Sequence, residues 1–241
     1  MKIRIIFWHI SLKNKSWAFF FFRKSSPFYL FYLFLTNFEI ALQFIGRGMV
    51  YMKEYLQETK SIDYMNPHIQ EKVQELKDQS CDDADYIKRA YLFVRDEIPH
   101  SWDIQTNIVS RTASDALINK TGICWAKSCL LAALLRANGI PSGISYQLLT
   151  RADDASEGYM IHALNTVHIK DLDEWIRLDA RGNKENINAY FSLDEEHLAY
   201  SIRSEFGEID YHDNHADLDE RLVTILMESM NIMDISTDFE F

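Results

Sequence analysis

The sequence predicts an α+β fold in which a central apolar helix, with a cysteine at its N-terminal end, packs on an antiparallel sheet. Three observations carry that expectation. Apolar residues recur at three- and four-residue spacing up to Pro141 and at period two beyond it. From Trp125 to Asn138 there is no Gly or Pro, and Ala and Leu supply most of the helix propensity. Thr121-Gly122-Ile123-Cys124 then provides a sharp turn into that helix, and Gly139 and Pro141 stop it.

Taken in order, the chain opens on a stretch unlike the rest. Residues 1 to 48 carry seven Lys or Arg, one Glu and ten of the fifteen Phe. Their net charge of +6 leaves −17 on the remainder of a chain whose total is −11. The apolar runs in this stretch are split by Arg23 and Lys24, so it makes a poor secretory signal and a weak membrane segment. Its composition is that of translated noncoding DNA, and the expectation is a mis-assigned start, with Met49 or Met52 beginning the natural chain. Residues 49–241 then read as a single domain, without repeats or a low-complexity linker.

Asn66-Pro67 is an N-cap followed by Pro at the first helical position, opening a helix to about Lys77. Asp82 or Asp83 begins a second, with Ala84, Ile87, Tyr91, Val94 and Ile98 on one face and Pro99 closing it. His100 to Asp103 reads as a loop, and Thr112 to Leu117 as a short capped helix leading into the cysteine turn. After Pro141, Ile144–Leu149, Met160–Ile169 and Glu174–Ala180 read as strands, the last two joined by Lys170-Asp171-Leu172-Asp173. Arg151–Gly158 is an acidic loop. Further on, Asn186–Phe191 reads as a loop or short strand, Ala199–Tyr211 as a region for strands, and Leu218–Met233 as a helix.

A cysteine at a helix start meets unpaired N–H groups and the positive end of the dipole, which favour a thiolate, so Cys124 is a candidate nucleophile. Cys129, deeper in the helix, reads as packing. A thiolate nucleophile needs a base, and the base needs an orienting acceptor. His162 lies at the start of one paired strand. If paired residue numbers in the hairpin sum to 341 or 343, Asp179 stands opposite or diagonal to it on the same face, within reach of the imidazole. Each residue alone has an ordinary structural explanation; the three together favour chemistry.

Gly122-Ile123-Cys124-Trp125, the run Leu134 to Pro141, the run His162 to Val167 and Trp175 to Asp179 resemble, in order and spacing, the transglutaminase-like superfamily in its bacterial form. The resemblance covers about Asp82 to Asn183. It implies a papain-like core, with Cys124 as nucleophile, His162 as general base and acid, and Asp179 as orienter. It implies no cofactor and no metal, and the calcium regulation of the animal enzymes does not carry over. Ile123 departs from the Gln found before the cysteine in several active relatives. The Cys124 backbone N–H is one expected oxyanion donor; Trp102, Gln105 and His100 are candidates for the second, with Trp125 a candidate lining residue.

Function divides into two classes. The first is cysteine-dependent acyl transfer or hydrolysis on a peptide or protein substrate through a thioester; the second is an inactive binding module on the same fold. Net negative charge argues against nucleic acid as a partner and offers no basic patch for a membrane. Three cysteines form no disulfide framework, which points to a reducing, cytoplasmic setting. His212-Asp213-Asn214-His215 reads as a solvated loop and not as a metal site.

Overall fold

The computed structural model describes residues 52–235. The expectation for residues 1 to 48 lies outside the described residues.

Helix α1, Pro67–Asp78, opens with the Asn66 side chain accepting from the His68 N–H at 3.0 Å. Helix α2, Asp83–Leu92, is capped in the same way by Asp82, whose carboxylate accepts from the Asp85 N–H at 2.8 Å. Where the sequence predicts one α-helix as far as Ile98, the last stretch, Phe93–Glu97, is a π turn. Its cause comes from another helix. The buried ammonium of Lys127 donates to the carbonyls of Val94, at 2.8 Å, and of Ile98 just beyond the turn, so the Val94 oxygen is taken out of the α ladder. Helix α3, Ala113–Asn119, starts at Thr112, whose hydroxyl accepts from the Asp115 N–H.

Helix α4, Cys124–Ala137, is buried on every side from Trp125 to Arg136. That explains its all-round apolar sequence: α1, α2 and α3 lie against it on one side and the sheet on the other. Strands β1 (Ser142–Thr150), β2 (Tyr159–Ile169), β3 (Glu174–Leu178) and β4 (Ile209–His215) form an antiparallel sheet in the order β3-β2-β1-β4. The two central strands are buried along almost their whole length, and the α4 leucines close over Ile144, Ile161 and Val167 as one core. An α+β fold with a helix on an antiparallel sheet is therefore what the chain adopts.

The C-terminal part departs from expectation. Ala199–Tyr211 contains a turn of 3₁₀ helix at Ser204–Phe206, and the strand begins at Ile209. His212 to His215 thus lie on an edge strand, and are not the solvated loop that was expected. The predicted helix over Leu218–Met233 is cut to α5, Glu220–Glu228, followed by a 3₁₀ turn at Ile232–Asp234. Two side chains enforce the break: Arg111 takes the Ser229 carbonyl at 2.7 Å, and Asn231 caps the Met233 N–H at 3.0 Å. Among the described residues no helix is long and apolar enough to cross a membrane.

Candidate active site

Two hydrogen bonds set the helix carrying Cys124 against the strand carrying His162. Trp125 Nε1 donates to the Ile161 carbonyl at 2.8 Å, and Ser128 Oγ donates to the Ala163 carbonyl at 3.0 Å. Residues three apart on a helix share a face, and their two acceptors flank His162. The first turn of α4 is therefore held at the position of His162 on β2. Asn165 returns the contact, donating to the Ser128 carbonyl at 2.9 Å.

His162 is 2% exposed, opposite Gln147 on β1. On its other side β2 pairs with β3 through Asn165 opposite Leu178. The next residue after Leu178 is Asp179, which puts it diagonal to His162, one of the two registers in which the sequence allows contact. The contact is made: His162 Nε2 and Asp179 Oδ2 are 2.8 Å apart, and both side chains are buried.

Asp179 accepts more than the imidazole. The Arg181 N–H reaches Oδ1 at 3.0 Å and the Ala199 N–H reaches Oδ2 at 2.9 Å. Burial alone would raise its pKa, but the His162 charge and these three donors outweigh it and hold the carboxyl below its usual range. His162 moves the other way. Burial disfavours its charge, yet the charge of Asp179 and then the neighbouring Cys124 push it up to about 10. With Nε2 taken by Asp179, Nδ1 is the ring nitrogen left for the cysteine.

The helix start is capped from outside. Ile123 offers no side-chain cap, and the Cys124 N–H donates to His100 Nε2 at 3.2 Å. A bridge between His100 and Gly122 brings that ring in, with the Ser101 N–H on the Gly122 carbonyl at 3.2 Å. Gly122 fits closely there, since a Cβ would lie 3.0 Å from the Ala126 methyl. His100 is 4% exposed, and its Nδ1 is buried without a partner among the described residues. Burial, with the nearby Arg181 and Lys127 cations and His162, lowers its pKa well below the ordinary value, so the ring is neutral.

In the structure the expected oxyanion donors are engaged as follows. The Cys124 N–H is already bonded, and His100 is the acceptor of that bond. Trp102 Nε1 is committed to the Ile232 carbonyl at 3.2 Å. Gln105 lies exposed in a left-handed turn, φ 52°, with its amide folded back to the Trp102 carbonyl at 2.6 Å. Trp125 is 1% exposed, part of the core and not of a lining.

Two residues that sequence reasoning passed over stand at the site. Lys127, one turn along α4, ties its helix to the end of α2; burial, with Arg181, lowers its pKa to about 7. Tyr200 sets its ring edge-on to His162, centroids 5.0 Å apart at 80°, with its oxygen accepting from Arg181 Nε at 2.9 Å. No local signal marks Tyr200, because a twenty-residue excursion from Asp179 delivers it. Among the described residues no three His, Cys, Asp or Glu converge as metal ligands.

Residues 70–180 match the family described as the Transglutaminase-like superfamily. No curated protein matches the chain. Among solved structures it is similar to a proposed cysteine protease from Cytophaga hutchinsonii, with 18% identity and a TM-score of 0.43, over 53% of this chain and 40% of that one. It is also similar to the periplasmic domain of TgpA from Pseudomonas aeruginosa, with 16% identity and a TM-score of 0.40, over 52% of this chain and 45% of that one. The chain thus spans less than half the length of either.

Proposed function

From the match of residues 70–180 to the transglutaminase-like superfamily and the geometry of the site, we propose that this chain carries a core of that superfamily and is a cysteine-dependent enzyme acting on an amide of a peptide or protein. The observation that carries the reading is His162, bonded through Nε2 to Asp179 at 2.8 Å on the strand that Trp125 and Ser128 hold against the first turn of the Cys124 helix. In the proposed reaction Cys124 Sγ adds to the amide carbonyl and His162 holds the thiol proton as imidazolium, with Asp179 its countercharge. Collapse of the tetrahedral intermediate breaks the C–N bond, and the leaving amine takes the proton from His162. The thioester then passes its acyl group to water, giving a protease or amidase, or to an amine, giving a cross-linking transferase. Three free cysteines fit a reducing, cytoplasmic compartment.

Treatment with a peptide-linked thiol electrophile at neutral pH, followed by mass spectrometry, tests this. Cys124 should be labelled in preference to exposed Cys81 and buried Cys129, and His162→Ala should remove the preference. Equal labelling of Cys124 and Cys81 would overturn the reading.

One observation favours a second reading, a binding module without turnover: the Cys124 N–H is occupied by His100. A module of that kind needs no activated thiol, so the same labelling experiment separates the two.

A further inference from the structure

Addition of a thiolate to an amide carbonyl moves the C=O π pair onto oxygen, and that oxygen needs a donor already in place. The expected donors are engaged elsewhere: the Cys124 N–H on His100, the Trp102 indole on Ile232, the Gln105 amide on its own turn. We propose that the Tyr200 hydroxyl is the side-chain donor to the oxygen of the carbonyl that Cys124 attacks. The proposal rests on the enzyme reading above and names a further residue of the same site.

Four observations support it. The first is placement. The ring stands edge-on to His162 at 5.0 Å, on the strand held against the first turn of the Cys124 helix. The second is hydrogen-bond polarity. Arg181 Nε donates into the phenol oxygen at 2.9 Å, so the Tyr200 proton must point away from Arg181. Among the described residues that O–H meets no acceptor. Donation from a guanidinium also polarises the phenol and strengthens it as a donor.

The third is rigidity. Arg181 is 5% exposed and gripped by both Asp103 oxygens through its two terminal nitrogens, so it cannot swing away from the phenol. The neighbouring Ala199 N–H is bonded to Asp179 at 2.9 Å, and Ile187, Ala189 and Ala199 form a small apolar cluster against which Tyr200 lies. The fourth is protonation. Burial, partly offset by Arg181, raises the phenol to about 12, so its proton is present at neutral pH.

In the step itself the Sγ–C bond forms and the π pair becomes an oxygen lone pair. Tyr200 donates a hydrogen bond to that oxygen and keeps its proton. On collapse the pair re-forms the carbonyl, and the amine leaves with the His162 proton.

Two probes on the full chain separate this role from a purely structural one. A peptide aldehyde adds to the thiol and produces a tetrahedral oxygen; iodoacetamide alkylates by displacement and produces none. Tyr200→Phe keeps the ring against His162 and removes the hydroxyl. The expected result is aldehyde affinity weakened about tenfold to a hundredfold, with iodoacetamide alkylation of Cys124 within about twofold of the parent. Unchanged aldehyde affinity would overturn the donor role. Equal loss with both probes would also overturn it, making Tyr200 a positioning residue for His162.

Wild-type protein that takes up neither probe at Cys124 would remove the enzyme reading, and the donor with it. Wild type reacting with both while Tyr200→Phe is indistinguishable removes the donor alone. Should Tyr200→Phe lose its cooperative melt, fluorotyrosine at position 200 keeps the fold's shape and makes the phenol more acidic. Aldehyde affinity should then rise, and no change would overturn the proposal.

Discussion

At the residue scale, one carboxylate serves two purposes. Asp179 is the partner of His162, and it also accepts the N–H groups of Arg181 and Ala199, which fix the chain leaving β3 and returning with Tyr200. Asp179→Asn therefore costs stability as well as reactivity, because an amide N–H would face those donors. The cost should depend on pH. His162 is raised from 6.5 to about 10, so the stability it contributes is complete below about 6.5 and disappears as pH rises towards 10. Asp179 is lowered, so its contribution is present above the ordinary carboxylate range and is lost in acid. Denaturant melts of parent and Asp179→Asn should differ most near pH 5 to 6, narrowing towards pH 10 by at most about 1.4 kcal/mol per unit. A difference that does not vary with pH would mean the pair is uncharged. The pair was legible in the sequence because strand alternation leaves two possible faces and an odd register selects the productive one. His100 was not legible in its actual role: whether a ring nitrogen gives or takes a hydrogen bond depends on the path of the loop, which leaves no periodic trace.

At the scale of elements, α4 is set by polar anchors along an apolar helix. Trp125 and Ser128 fasten it to β2, and Lys127 fastens it to the end of α2. Lys127→Met should leave the carbonyls of Val94 and Ile98 buried without a donor. The expected cost is on the order of 3 kcal/mol, read as a fall in Tm of about 10 °C. Loss of less than about 1 kcal/mol would mean that water or a relaxed α turn replaces the ammonium. The helices themselves were readable from Asn66-Pro67, Asp82, Thr112 and the Gly139 stop, because caps and breakers act within a turn. The π turn at Phe93–Glu97 was not, since its cause lies on another helix. The break at Ser229 escaped for the same reason: Arg111 takes that carbonyl from far back in the chain.

At the scale of the whole described chain, Arg136 does for distant segments what Lys127 does locally. Its buried guanidinium donates to the carbonyls of Gln57, Ser142 and Ala216, joining the start of the described chain, the head of β1 and the connection after β4. Arg136→Met should cost about 2 to 4 kcal/mol, and hydrogen exchange should speed up first around Gln57 and Ala216. Cys124 labelling in the folded fraction should be unchanged, since Arg136 sits at the opposite end of α4. The excursion between Asp179 and Tyr200 has the converse property. Asn183 grips Ala189 through both its amide groups, and Ala199 is fastened to Asp179, so residues 190–198 run between two fixed posts. Lengthening a loop whose ends are already held is cheap, about 0.6 kcal/mol for each doubling. The stretch can thus change length at little cost as long as Phe191 and Leu193, which pack on the main core, and Glu196, which pairs with Arg177, are kept, while Asp179 and Ala199 stay where they are.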